Sequence, residues 1–377
     1  MKLVQAYYNT ASGWKYLSDK IQLNNPLVLV FGNRLLLQDA VAFAGIKAEF
    51  PYSHFVYGST GGEIAGTRVM EDSFSVIALD FEKSTFVVAT DTIYNHNKDA
   101  ALLGAALYAK LPQDGLTHVF SLAGGNYMNG SALIEGLESA IKNGVAITGG
   151  LCGDDARFEC SVASYNEAPK EGEAVLIGLY GEDLEITYAS FGGWQPFGPE
   201  RTVTKSEGNI LYEIDGKPAL DLYKKYLGER ASQELISLLS YPLSITPPGK
   251  DYAVTRTILN IETDNNSIIL AGNCPESSKS QLLMASVHGI VDGAREAAQH
   301  AMMGRTKRPE AALLISCVGR KALMDQQTEE EIEQVQEVVG STTALAGFYS
   351  YGEMAPFFNS KSCELHNQTM TLTLISE

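Results

Sequence analysis

Residues 117–155, THVFSLAGGNYMNGSALIEGLESAIKNGVAITGGLCGDD, read as a strand, a glycine loop, a helix, a strand and a glycine turn ending on Asp154 and Asp155. The same order occurs twice more. LVLVF (27–31), an apolar stretch to Ile46 and HFVYGSTGGEIAG (54–66) put Glu63 in the turn. AALLISCVGR (311–320), EEEIEQVQEVVG (329–340) and ALAGFYSYGEMAP (344–356) end at Glu353. Each copy is followed by a strand-like run: SFSVIALDF (73–81), AVLIGLY (174–180) and LHNQTMTLTLI (365–375). Each is preceded by a strand and a helix pattern, at 3–8 with 11–23, 85–90 with 98–111, and 281–287 with 288–303. Alternating strand and helix periods imply sheets covered by helices, so the fold class expected is α/β, built from repeated β-α-β-α-β-β units. Two mixed β-sheets flanked by helices are expected, with a ligand near their junction. Unequal, widely spaced copies argue against a solenoid.

The stretch after the second copy changes character. From 184 to 214 glycines and prolines break the chain into strands and turns. KPALDLYKKYLGE (217–229) reads as a helix started by Pro218 and stopped by Gly228. Two β-rich runs around 264–266 read as a hairpin.

Composition narrows the partners. The 377 residues carry a net charge of -17, which repels nucleic-acid phosphates and anionic lipid. No run reaches the roughly 18 apolar residues of a membrane span, and the N-terminus has no signal-peptide pattern, so a cytoplasmic location is expected. Five scattered cysteines without a CxxC pair give neither a disulfide framework nor a zinc ribbon.

Ligands of open α/β sheets bind beyond the carboxyl ends of strands, where loops expose free backbone groups. In the first turn Gly61 and Gly62 offer N–H groups, Ser59 and Thr60 offer hydroxyls, and Glu63 can pair with an amino group. Gly150, Cys152, Asp154 and Asp155 form the second such set, and Tyr351, Gly352 and Glu353 the third. Together they suit a zwitterion. The alternative is that the glycines only make tight turns and the carboxylates cap nearby backbone. Loop 121–130 reads as an ordinary strand-to-helix turn with Asn129 as the cap, since it lacks a dinucleotide or P-loop pattern.

Arg320 is the expected carboxylate partner, through its planar fork, or else the partner of an acidic turn. Cys317 reads as packing. His366 shares a strand face with Glu364 and lies beside Asn367; it is the metal ligand if a haem is bound, and otherwise a hydrogen-bonded histidine. No HxxxH or HxxE spacing supports a metal centre built by the protein alone.

The turns and the C-terminus resemble the FIST family. VYGSTGGEIAG is similar to the turn of its N-terminal module, and LISCVGR, GFYSYGEMAP and ELHNQTMTLTLI to the end of its C-terminal module. GNILYEIDGKPALDLYKKYLG resembles the segment joining them, so the likeness runs from about Pro26 to the end. The resemblance implies an N-terminal module at 1–215 and a C-terminal module at 216–377. It implies a small-ligand-binding sensory protein acting in signal transduction, with a small metabolite such as an amino acid as ligand. No kinase, cyclase or chemoreceptor segment is attached, so the signalling partner is expected to be a separate protein. One branch of free-standing members binds haem, senses nitric oxide and regulates a histidine kinase; that is the alternative, with no cofactor as the first expectation. An enzyme using Cys317 and His366 is a third class, and a structural adaptor a fourth; no catalytic residue is expected.

Overall fold

In the computed structural model, which describes residues 1–126, 128–141, 144–228, 235–357 and 360–377, the three copies fold into three sheets of one plan. Strands Leu27–Gly32 and His54–Ser59 run parallel around helix Ala40–Glu49, and Ser73–Asp80 returns antiparallel beside the first. Leu116–Gly124, helix Gly130–Ala140, Ala146–Cys152 and Glu173–Tyr180 repeat this arrangement. So do Ala311–Cys317, helix Thr328–Val339, Ala344–Ser350 and Met370–Ser376. One further strand flanks each returning strand: Lys2–Asn9, Thr85–Thr92 and Glu185–Phe191 respectively. Leu27–Gly32 and Ala311–Cys317 are buried at every residue, as strands covered on both faces must be.

The strand that follows each acidic turn leaves its own sheet. Glu63–Ala65 pairs with Ala344–Ser350 of the third sheet, Val162–Tyr165 with His54–Ser59 of the first, and Gly352–Pro356 with Ala146–Cys152 of the second. Three such hand-overs close a ring with pseudo-threefold symmetry. Its centre is one apolar cluster shared by the sheets, including Leu29 and Phe31 from the first, Phe120 and Ile177 from the second, and Ile315 and Phe348 from the third. Helices cover the outer faces of the second and third sheets and form further cores there.

Mixed sheets flanked by helices are thus present, three of them among the described residues, beside a fourth sheet that is antiparallel throughout. Residues 192–286 interrupt the third copy between strand Glu185–Phe191 and helix Val287–Met302, and build an eight-stranded sheet with its own core. This insert contains the expected helix, Ala219–Leu227 capped by Gly228, and the expected hairpin, Ile258–Glu262 with Ser267–Leu270. Strand Lys279–Met284, read as opening the third copy, belongs to the insert's sheet. The opening strand is Glu185–Phe191, far upstream.

The helix expected at 11–23 is instead strand Gly13–Tyr16, in a hairpin with Lys2–Asn9. Gly13 takes φ +70 to make the turn, and Trp14 packs on Tyr8 and Phe50, so aromatic contacts across the strands outweigh the helical spacing. Tyr127, Lys142, Asn143 and Glu229, which fall within the expected glycine loop and helices, lie outside the described residues.

Candidate functional site

The three turns meet on the axis of the ring through three like hydrogen bonds. Gly61 N donates to Tyr349 O at 2.7 Å, Gly153 N to Ser59 O at 2.9 Å, and Tyr351 N to Leu151 O at 3.0 Å. Asp155 N adds a bond to Thr60 O at 2.9 Å, and Tyr349 N one to Gly62 O at 2.9 Å. The turns are therefore adjacent, but their carboxylates face inward.

Glu63 is fully buried and accepts from the hydroxyls of Thr60 and Ser73 at 2.5 Å each. Burial pushes its carboxyl up to about 8, against the pull of those hydroxyls. Glu353 accepts from the Ser350 hydroxyl at 2.7 Å and from Thr369 N and Oγ1 at 3.1 and 3.0 Å, and burial pushes it up to about 7. Asp154 accepts from Phe158 N, Glu159 N and Cys160 N at 2.8–2.9 Å and from the Tyr351 hydroxyl. Asp155 accepts from Asn33 Nδ2 at 2.7 Å, and burial raises its carboxyl. Ser59 Oγ bridges Gly153 O and Val162 N, and a Cβ on Gly150 would lie 2.6 Å from Ile315. Every one of these groups holds the ring together.

The remaining expected site residues are engaged in the same way. Arg320 is fully buried and spends its five N–H donors on Glu331, Gly192 O, Gln368 O and Ile290 O, with Glu331 Oε2 at 2.7 and 3.0 Å. Its partner is therefore a helical glutamate, not a turn carboxylate. Cys317 and Cys152 are buried thiols whose burial holds them protonated, Cys152 up to about 12. The Cβ of a residue at 352 would meet Leu365 at 3.0 Å. Asn367 donates to His366 O and accepts weakly from Thr257 N at 3.4 Å. His366 is buried with Nε2 on Ala355 O at 2.9 Å and the Phe357 ring in T-shaped contact at 4.7 Å, and burial pulls it down to about 4. Among the described residues no cluster of three His, Cys, Asp or Glu side chains can hold a metal ion.

The open space lies elsewhere. The backbone position filled by Gly61 and Gly153 in two copies is filled by Tyr351 in the third. Around Gly61 the junction is closed by Val318 and by Lys321, whose Nζ reaches Gly61 O at 2.9 Å. Around the second turn it is closed by Asn33 on Asp155 and Arg34 near Asp154. At Tyr351 a cleft of about 560 Å³ opens between the second sheet and the insert. Gly125, Asn126 and Met128 line one side, Asn209, Leu259 and Asn260 of the insert the other, and no histidine lines it among the described residues. A haem placed there lacks an axial nitrogen from those residues.

Tyr351 forms part of the wall with Phe158, their rings stacked at 4.5 Å and 17°. Asp155, Ala156 and Phe158 all take left-handed φ of 57–59°, a strained run fixed by the donors that converge on Asp154. Asp154 therefore acts as the anchor that presents both rings to the cleft; burial, with Asp154 adding to it, holds the Tyr351 phenol protonated. Of the expected site residues Tyr351 lines the cleft directly; Phe158 and the asparagines were missed. The tyrosine in SYGE against the glycine in STGGE was the available signal.

A family model for the FIST N domain matches residues 26–217, and one for the FIST C domain matches residues 219–356. An uncharacterized protein of Methanocaldococcus jannaschii is 25% identical over 372 residues, covering 86% of this chain and 69% of that protein. An uncharacterized protein of Mycobacterium bovis is 25% identical over 190 residues, covering 48% of each chain. An uncharacterized Mycobacterium tuberculosis protein is 22% identical over 249 residues, covering 64% of this chain and 63% of its own. The chain thus spans about half to two thirds of its mycobacterial relatives. No helix among the described residues is long and apolar enough to cross a membrane.

Proposed function

Since the chain belongs to the FIST family, whose domains are sensory domains of signal transduction proteins, we propose that it senses a small metabolite bound in the cleft beside Tyr351. The observation that carries this reading is the broken symmetry. Two of three equivalent junctions are filled by side chains, while the third is walled by an aromatic pair and left open at a volume typical of small-molecule sites. The buried turns serve as the frame that positions that wall.

Binding without turnover fits the chemistry. The Cys317 thiol is held protonated by burial, and His366 is neutral with its Nε2 bonded to a carbonyl, so neither supplies an activated nucleophile or a base. Occupancy is read by a separate signalling protein, a histidine kinase or another. The haem form of this sensor needs an axial ligand outside the cleft-lining residues described, and a hemin titration followed by absorption tests it directly.

A thermal-shift screen of metabolites against the wild type and Asn260→Trp tests the proposal. Asn260 is exposed on the insert's rim, so tryptophan there fills the cleft without entering a core. A true ligand at 100 times its Kd stabilises the wild type by about 2.7 kcal/mol, and the filled variant loses that gain. A ligand that protects both proteins equally refutes the site.

A further inference from the structure

We infer that the cleft takes a planar, uncharged heteroaromatic molecule with hydrogen-bond donors and acceptors on its edge, of the class of a free nucleobase or its nucleoside. The inference rests on the cleft being the sensory site. Three features of the lining lead to it.

First, Phe158 is stacked on Tyr351 by one face and remains 40% exposed, so its other face is a platform on which a flat ring continues the stack. Leu259 and Leu270 of the insert supply apolar surface in the same cleft.

Second, the polar groups are carboxamides with unused capacity of both kinds. Asn209 gives its Nδ2 to Leu270 O at 2.8 Å, and its Oδ1 accepts nothing from the described residues. Asn260 accepts from Ile261 N at 2.9 Å, and its Nδ2 donates to none of them. Asn126 Oδ1 is buried without a partner among the described residues, an acceptor that a ligand N–H would satisfy after a small rotation of the amide. Paired donors and acceptors of this kind match the edge of a base.

Third, no lysine, arginine, histidine, aspartate or glutamate is among the described residues that line the cleft. A phosphate, or either end of a zwitterion, would enter without a counter-charge, and the chain's net charge of -17 adds a field against anions. A neutral ring escapes both costs.

Calorimetric titration of the full chain with adenine, hypoxanthine, uracil and their nucleosides tests this, with AMP and phenylalanine as charged comparators. The expected result is saturable binding of at least one neutral base or nucleoside, with hypochromism of its absorption band on stacking and at least tenfold weaker binding of AMP. Phe158→Leu keeps apolar bulk but removes the ring face, and lowers the affinity by about tenfold or more. Asn260→Trp abolishes binding while circular dichroism shows the fold retained. Binding that ignores Phe158→Leu and Asn260→Trp overturns the inference. So does binding of phenylalanine with no response to any neutral heteroaromatic, an outcome that leaves the metabolite sensor standing. Silence of every probe overturns the inference, and the sensor reading falls separately only if the wider metabolite screen is silent too.

Discussion

Glu63 sits between two hydroxyls with no water contact, and its carboxyl is pushed up to about 8 by that burial, with Asp155 adding to the push and Lys321 opposing it. Between an ordinary carboxylate value of 4.5 and about 8, the folded chain keeps a proton that the unfolded chain has released. Stability contributed at this site is therefore full below the lower value, declines as pH rises, and levels off above the higher one. Glu63→Gln mimics the protonated acid and does not ionise. Its stability relative to wild type should improve on the order of 2 kcal/mol between pH 5 and 9, read from urea midpoints across the series; parallel pH profiles would refute the assignment. At Tyr351 the phenol bonded to Asp154 is the expected weak point of the wall. Tyr351→Phe should cost about 1.5–3 kcal/mol, because the carboxylate loses a donor, and should increase hydrogen exchange at Phe158 and Glu159. An unchanged exchange pattern would mean that Asp154 anchors the loop without it. The sequence showed which residues make the turns but not which way they face. Arg320 illustrates why: its partner Glu331 is one of three consecutive glutamates, and only the phase of helix Thr328–Val339 turns that one inward beside Ile332 and Val335.

Strands and helices were more legible than their neighbours. Asn129 caps its helix at the expected point, and Pro218 and Gly228 bracket the insert's helix, because caps are local chemistry. The sheet that an edge strand joins has no local signature, so neither the exchanged hairpins nor the split of the third copy was visible. The connection into the insert, at Gly192 and Gly193, packs against Gly289 in the first turn of helix Val287–Met302, just beyond the connection out of it. Gly193 has φ +75, and a Cβ there would lie 1.9 Å from Gly289 O. Arg320 binds Gly192 O at the start of the insert and Ile290 O in the first turn of that helix at 2.7 and 2.8 Å, while Glu331 fixes it to the body. Arg320→Ala leaves Glu331 buried without its cation and should cost about 3–5 kcal/mol in denaturant titrations. Local proteolysis should rise first at these connections. Uniform loss of protection across the chain instead would deny Arg320 a special hold on the insert.

At the scale of the whole molecule, the two family segments are not two folding units. The N-terminal segment supplies Glu63–Ala65 and Glu185–Phe191 to the third sheet, and receives Gly352–Pro356 on its second. Residues 1–217 expressed alone should therefore expose open strand edges and aggregate, and should become soluble only when residues 218–377 are co-expressed. Size-exclusion chromatography with circular dichroism checks this; a folded monomer of 1–217 would contradict the shared ring. The same closure has a consequence for synthesis. A ribosome releases the strand handed to the first sheet, Val162–Tyr165, early, but the second sheet waits for Gly352–Pro356. The third waits longer, since Met370–Ser376, which lies between Glu185–Phe191 and Ala311–Cys317, is made after the other described strands of that sheet. Until then the nascent chain has a sheet without its inner strand, open to chaperones and proteases. The codons for Met370–Ser376 act as the latch of the ring, and a message cut short of them should yield a product open to proteolysis, whatever the state of the cleft.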